Sequence, residues 1–229
     1  TGTTTLTTPT AIGVLVAAAS FTMIGYVNAR RIARVVHVDV PLANLPAALA
    51  GFTIAQIERY SCLDVPDSPA TPTTPPGYRL VSWVGPTPPE FLPGVAALLG
   101  VFETDQPVGD IAADPAPWDA EALAAIEAAH ADRLIRSATI AVHEASGETV
   151  AATRIIRQVA REASAEQGIT VVRGDHRGHG LGLAIKRANL VCARRAWPLL
   201  RRIHTWNAGE NDHMWDINQA LGFRTMGAE

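Results

Sequence analysis

The sequence contains very little cysteine and almost no lysine. Its two cysteines, Cys62 and Cys192, lie far apart, and neither belongs to a C-x-x-C pair or a Cys/His cluster. Nothing in their spacing indicates a disulfide framework or a metal site, so a reduced, cytoplasmic setting without metal is expected. Lys186 is the only lysine among 19 basic residues, and any Schiff-base chemistry would therefore depend on that one side chain. The net charge of −3 gives no reason to expect nucleic acid as a partner.

Acidic residues are absent from one long stretch of the chain. Between His176 and Gly209 there is no Asp or Glu, while the stretch contains one lysine and several arginines. Such a local excess of positive charge suits an anionic ligand. A solvated helix face is the alternative explanation of the same pattern.

One apolar segment near the start raises the question of a membrane. Residues 11–27 carry no charge, and Arg30 and Arg31 follow them. The segment is at the short limit for a span and contains Gly, Ser and Thr. A buried helix followed by a strand is the preferred interpretation, and a membrane tether at 11–27 is the minor alternative.

The distribution of proline divides the chain. Between Pro66 and Gly77 proline is frequent and apolar periodicity is lost, which is typical of an extended linker. We therefore predict three parts, namely an N-terminal unit over 1–60 that includes a short helical piece over 45–60, a Pro-rich linker over 61–77, and a main domain over 78–229.

Strands and helices alternate in the main domain. Strands are predicted over 78–85, 137–143, 148–156, 169–173 and 202–207, and a further strand is expected to begin at Phe223. Helices are predicted over 88–100, 118–131, 181–196 and 211–221. This order favours an α/β (α+β) domain with a mixed central sheet flanked by helices.

The most informative stretch is a strand that runs into a glycine-rich turn and then directly into a helix. The turn spans Arg177 to Gly182 and has glycine at every second position. Glycine permits positive φ and close approach of a ligand. The helix that follows presents unpaired N–H groups and the positive end of its dipole, which together suit a pyrophosphate. Neither the P-loop triplet Gly-Lys-Ser/Thr nor the spacing G-x-G-x-x-G is present.

The pattern Arg-x-x-Gly-x-Gly at Arg177, Gly180 and Gly182 resembles motif A of the GCN5-related N-acetyltransferase (GNAT) superfamily. The downstream stretches over 205–211 and 217–223, the latter ending in Leu-Gly-Phe, are similar to the family's later strand and helix. The resemblance covers about residues 78–229, with its nearest likeness to the actinobacterial branch of tandem-domain and mycothiol-synthase-like members.

This resemblance implies acetyl-CoA or another acyl-CoA as the cofactor. In the family, the strand before the loop separates from its neighbour and the pantetheine arm lies in the gap. The residues that match cofactor-contacting positions are Thr170, Val171, Val172, Arg177, Gly178, His179, Gly180, Leu181, Gly182, Asn207 and Asn211. One backbone N–H of the strand is expected to polarise the thioester carbonyl.

Two positions bear on proton transfer. Glu166 lies eleven residues before Arg177, where some family members carry a catalytic Glu, and an unbroken strand would place it on the same face as Thr170 and Val172. A solvent-facing Glu is the alternative. The family's usual acid is a Tyr at the position of Asn218, and Asn does not readily donate a proton to a thiolate. Water or another group, with His204, His176 and Glu103 left open, would then replace it, or the domain has lost activity.

The end of the sequence suggests a further question about the sheet. Family members normally finish with one more strand than the sequence after Phe223 provides. Three explanations are open: the chain is a fragment, the strand comes from another chain, or residues 21–40 supply it. Residues 1–60 would then be the tail of an N-terminal GNAT-like domain.

The expected function is acyl-CoA-dependent N-acylation of a primary amine on a small molecule by direct attack on the thioester. A catalytically silent GNAT-like module that binds acyl-CoA or a protein is the alternative, and Asn218 is the residue that favours it. The expected partner is a small-molecule amine, with no nucleic acid and no membrane, and a homodimer is left open.

Overall fold

The computed structural model of the protein describes residues 58–105, 118–208 and 211–226. The strands are β1 (Glu58–Asp64), β2 (Tyr78–Val84), β3 (Leu134–His143), β4 (Thr149–Gln158), β5 (Ser164–Val172), β6 (Arg202–Ala208) and β7 (Arg224–Thr225). The helices are α1 (Leu92–Asp105), α2 (Ala120–Ala129), α3 (Leu181–Ala196) and α4 (Asp212–Leu221), with a short 3-10 turn at Gly174–His176.

The strands form one mixed sheet of seven strands in the order β2-β3-β4-β5-β6-β1-β7. All neighbouring pairs are antiparallel except β5 and β6, which are parallel. Helices α1 and α2 cover one side, which we call the α1/α2 face, and α3 covers the other, the α3 face. The predicted α/β class and mixed sheet flanked by helices are confirmed.

Local sequence signals account for the ends of these elements. The β3–β4 hairpin turns at Gly147, whose φ of 73° lies in the left-handed region that glycine adopts readily. Helix α4 begins after Asn211, whose side chain accepts a hydrogen bond from Met214 N, and it ends at Gly222. Helix α3 extends over the predicted residues, with Leu181 and Ile185 buried against β3 and β4.

The position of β1 differs from the predicted linker. Residues 61–64 form part of a strand that pairs with β6 along its whole length, from Glu58 opposite Ala208 to Asp64 opposite Arg202. Leu63, 4% exposed, packs into the core beneath α3. The predicted helical piece over 45–60 is wrong for 58–60, because these residues belong to the same strand. The linker therefore starts later than residue 61, and the three-part division of the chain stays a prediction.

Strand β1 also bears on the question of the missing strand. It lies between β6 and β7, so residues from before the Pro-rich segment fill that place in the sheet. Of the three explanations, a strand supplied by an earlier part of the same chain agrees best with this position of β1. The segment that it named, 21–40, lies outside the described residues.

No helix in the described part of the chain is long and apolar enough to cross a membrane. The segment 11–27, where a tether was considered, lies outside that part.

Candidate acyl-CoA site

Strands β5 and β6 separate partway along their length. Their pairing consists of Ser164 with Arg202, Ala165 with Ile203, and Glu166 with His204. Beyond that last pair, β5 continues to Val172 and β6 to Ala208 without pairing to each other. The separation exposes strand edges whose peptide groups are available to an extended ligand. It opens towards the glycine-rich loop, which follows the end of β5.

A bulge in β5 changes which side chains share a face. Thr153 of β4 pairs with Thr170, whereas Ile155 pairs with Gln167, so β5 has one extra residue between these two positions. Gln167 fills the irregularity, because its Nε2 donates to the Arg154 carbonyl at 2.9 Å and to Thr153 Oγ1 at 3.0 Å. The β5 strand is also longer than predicted, starting at Ser164 instead of Ile169.

The bulge overturns the predicted orientation of Glu166. Glu166 pairs with Ile156, three residues along β4 from the partner of Thr170, so Glu166 and Thr170 face opposite sides of the sheet. Glu166 is exposed on the α1/α2 face. Gln167 instead lies on the same face as Thr170, where an unbroken strand would have placed Glu166.

The glycine-rich loop has an open backbone. Gly178 and Gly180 have φ values of 81° and 74°, and a Cβ added at either would meet nothing within 4 Å. Gly180 is the N-cap of α3 and has no side-chain cap, so the first N–H groups of the helix stay available. At Gly182 a Cβ would lie 3.0 Å from Ile217 Cδ1, and this glycine therefore lets α4 pack closely against the start of α3.

The other cofactor-matching residues around the loop occupy defined places. Arg177 Nε donates to the Val172 carbonyl at 3.1 Å, which holds its side chain beside the end of β5. His179 contacts the Arg177 carbonyl through Nδ1 at 3.0 Å. Leu181 and Val171 are buried in the core on opposite faces of the sheet, and Thr170 hydrogen-bonds Thr153 through its hydroxyl at 2.9 Å.

A cluster of polar side chains lies next to the glycine-rich loop. Buried His176 contacts Tyr78 Oη through Nδ1 at 2.9 Å and the Arg173 guanidinium through Nε2 at 2.9 Å. Arg173 can only donate, so Nε2 accepts and Nδ1 carries the proton that it donates to Tyr78. Arg173 also forms ion pairs with Glu148 and Asp175, which lower the pKa of both exposed carboxyls. His176 thus links Tyr78 of β2 to Arg173 beside the loop.

Half-buried Asn207 and buried Asn218 and Lys186 form a hydrogen-bonded chain on the α3 face. Lys186 Nζ donates to Asn218 Oδ1 at 2.5 Å, and Asn218 Nδ2 donates to Asn207 Oδ1 at 2.7 Å. Asn218 is 0% and Lys186 2% exposed. Burial lowers the pKa of Lys186 to about 7. The sequence marked Asn218 and Lys186 separately, but nothing in it shows that they are in contact.

His204 lies at the head of the separation between β5 and β6. Its Nδ1 contacts Tyr60 Oη at 2.7 Å, and Tyr60 stacks against both His204 and Trp206. Burial, and then the nearby charge of Arg202, lower the pKa of His204. His204 is the cross-strand neighbour of Glu166, so two potential proton acceptors meet at the point where the strands part. Sequence reasoning missed Tyr60, because β1 was not expected in this sheet. The side chain of Glu103 lies outside the described residues.

Within the described residues, no group of three or more His, Cys, Asp or Glu side chains is placed to hold a metal ion.

Comparison with solved structures identifies the family. A tandem GNAT protein from the clavulanic acid biosynthesis pathway is 30% identical in sequence, with a TM-score of 0.59 over 76% of this chain. The chain belongs to the GNAT superfamily. A GCN5-related N-acetyltransferase from Sphaerobacter thermophilus has the same fold, with 16% identity and a TM-score of 0.52 over 73% of this chain. No protein-family model and no curated protein matches the sequence.

This GNAT chain spans about half the length of these two solved proteins, since the alignments cover 51% and 48% of them. The sequence predicted an acyl-CoA site at Thr170–Val172 and in the glycine-rich loop. In the structure these residues lie where β5 has parted from β6 and where the open loop leads into α3.

Proposed function

We propose that the protein is an acyl-CoA-dependent N-acyltransferase that acylates a primary amine of a small molecule. One observation carries the proposal: β5 separates from β6 after Glu166 and leads directly into a loop whose glycines leave open space at the N-terminus of α3. An extended thioester cofactor with an anionic pyrophosphate fits both features, since it needs free peptide groups along its arm and N–H donors at its phosphates.

The loop residues Gly178 to Gly182 would hold the pyrophosphate, and the free edge of Thr170–Val172 would hold the pantetheine arm. Bound there, acyl-CoA supplies an activated acyl group to an amine nitrogen. Arg177 already lies beside the Val172 carbonyl and carries the positive charge that the phosphates require. Asn211 caps α4, and we assign it a supporting role at the edge of the site.

Proton transfer is assigned to the α1/α2 face at the head of the parted strands. Glu166 is exposed there and can accept the proton that an ammonium substrate must lose before it becomes nucleophilic. His204 is held beside it by Tyr60, and its lowered pKa keeps the ring neutral near pH 7. Asn218 is not assigned the role of acid, because an amide does not readily give up a proton and this one is turned towards Lys186 and Asn207.

The second candidate is a silent module that binds acyl-CoA without turnover. It is favoured by the replacement of the usual Tyr by Asn218, whose contacts turn it towards Lys186 and Asn207. Measuring free-thiol release from acetyl-CoA with a panel of primary amines distinguishes the two. Acceptor-dependent release supports the enzyme, whereas saturable binding of acetyl-CoA with no release from any amine supports the silent module.

A further inference from the structure

A cavity lies between the sheet and the α1/α2 layer. Its interior is narrow, with a volume of about 20 Å³, and it is lined by strands β2 to β5 and both helices. Trp83, Val95, Ile140 and Ile169 give it apolar walls. An interior of this size admits a group of a few atoms and leaves the rest of a ligand at the mouth.

Two arginines of neighbouring strands also line this cavity. Arg136 of β3 is 9% exposed, and Arg154 of β4 shares a face with Trp83 because both align with Ala138. Arg154 Nε and Trp83 Nε1 are buried without a hydrogen-bond partner among the described residues. Buried donors of this kind normally have partners, because an unsatisfied buried N–H destabilises the fold.

The one carboxylate in the cavity wall is already engaged. Glu127 accepts hydrogen bonds from Thr87 N at 2.7 Å and from Thr87 Oγ1 at 2.9 Å. No ion pair joins Glu127 to either arginine in the described part of the protein. Burial, and then the charge of Arg136, lower the pKa of Arg154, while Glu127 opposes this effect. Two guanidinium groups against one occupied carboxylate leave an excess of positive charge that an anion would neutralise.

The cavity also adjoins the place where β5 parts from β6. A Cβ added at Gly168 would lie 3.0 Å from Arg154 Cγ and 3.3 Å from its Nε, so the side chain of Arg154 crosses the bulge of β5. Glu166 faces the same side of the sheet, because it pairs with Ile156, two residues along β4 from Arg154. A ligand bound to Arg154 would therefore lie beside the proposed proton acceptor.

We propose that this cavity is the acceptor subsite and that Arg136, Arg154 and the indole N–H of Trp83 bind a carboxylate of the amine substrate. This inference rests on the proposed acyl transfer and specifies its acceptor as an amine that carries a carboxylate, such as an α-amino acid. The carboxylate accepts from the guanidinium groups inside the cavity, and the rest of the substrate lies towards its mouth.

The kinetic test compares apolar L-α-amino acids with their primary amides, which replace the carboxylate by a neutral group of similar shape. Thiol release from acetyl-CoA gives kcat/KM for each. The ratio of acid to amide is expected to fall about tenfold to hundredfold in Arg154→Gln, the loss expected for hydrogen bonds to a charged group. Comparing this ratio between wild type and variant cancels the difference in amine basicity. The same acid-to-amide ratio in wild type and Arg154→Gln would overturn the subsite while leaving acyl transfer intact.

The binding test does not depend on turnover. In ¹⁵N-labelled protein, the Trp83 indole N–H signal, identified with Trp83→Phe, is followed while L-leucine or L-leucinamide is added. A shift with L-leucine but not with L-leucinamide, absent in Arg154→Gln, supports the subsite whether or not thiol is released. Absence of thiol release would count against acyl transfer, not against the subsite. No shift with L-leucine, or the same shift with both ligands, overturns the subsite.

Two further variants control for folding and charge. Arg133→Gln removes an arginine whose side chain is 68% exposed and outside the cavity, and the preference for acids is expected to persist. Arg154→Lys keeps the positive charge but loses the Nε donor. Arg154→Lys is expected to retain part of the preference for acids. If Arg154→Lys and the control Arg133→Gln both lost the preference completely, the assignment of carboxylate binding to Arg154 would be contradicted.

Discussion

Lys186 places a cation inside the protein where α3 meets α4. Its Nζ donates to Asn218 Oδ1, contacts Met214 Sδ at 3.8 Å and lies 5.6 Å from the centre of the Phe223 ring. No carboxylate within the described residues neutralises it. The protein therefore bears the cost of burying a charge, which appears as a lowered pKa.

That lowered pKa predicts a specific dependence of stability on pH. In the unfolded chain Lys186 keeps its proton up to about pH 10.5, whereas in the folded protein it loses it at about 7. The unfolded state thus binds more protons between these values, and the contribution of Lys186 to stability should rise with pH across this window and fall as pH drops through 7. Denaturant unfolding of wild type and Lys186→Met from pH 6 to 10 measures it, since the variant should lose this part of the slope. Parallel profiles for the two proteins would contradict the burial of a titrating lysine.

Glu166 carries the second prediction at this scale. Glu166→Gln should lower kcat by about 10²-fold or more, because the amide cannot accept the proton of the attacking ammonium, with little change in acetyl-CoA affinity. Steady-state kinetics and calorimetry on the same preparation measure both quantities. Glu162→Gln, an exposed residue in the turn before β5, is the matched control. An unaltered rate in Glu166→Gln would remove this side chain from the mechanism.

Residue types were readable from the sequence at this scale, but their orientations and contacts were not. The strand parity predicted for Glu166 was wrong, because one extra residue in β5 turns the side chain to the other face. A bulge arises from packing and from the hydrogen bonds of Gln167 with β4, which single-strand parity does not include. Likewise, the contact between Lys186 and Asn218 joins residues on two helices whose packing depends on Gly182.

Among the elements, β1 is the one that the sequence misplaced. It borders the Pro-rich segment, and its seven residues alternate too weakly to distinguish a strand from the end of a linker. Its place is decided by long-range pairing with β6 and by the burial of Leu63 under α3. By contrast, α3, α4 and the β3–β4 hairpin were predicted correctly because their signals are local, namely helical periodicity, caps and a turn glycine.

Membership of β1 in the sheet predicts a large effect of a core substitution. Leu63→Ala should lower the free energy of unfolding by about 2–5 kcal/mol, the usual cost of truncating a buried leucine. Leu199→Ala is the matched control, because Leu199 is 55% exposed, and it should change stability by less than about 0.5 kcal/mol. Chemical denaturation followed by circular dichroism measures both. Equal, small effects would mean that residues 58–64 are not part of the folded core.

For the whole molecule, the two proposed binding sites lie on different parts of the sheet. In the proposed account the loop and the start of α3 bind an anion at the end of β5, and the α1/α2 face provides a cavity with cationic and apolar walls. The two meet where β5 and β6 part. The mixed sheet was predicted from the order of strands and helices, and the family from the glycine-rich motif with the downstream stretches. The cavity was not predicted, because its residues come from four strands and two helices.

The central claim is that the loop before α3 binds the diphosphate of acyl-CoA. Its most direct test is calorimetric titration of acetyl-CoA into wild type, Gly180→Glu and Gly147→Glu. Gly147 has a φ of 73° and open space for a side chain, so its substitution introduces the same backbone strain and charge in the β3–β4 turn. Saturable binding to wild type and Gly147→Glu, with none to Gly180→Glu, is predicted. Equal affinity in all three proteins would contradict the account.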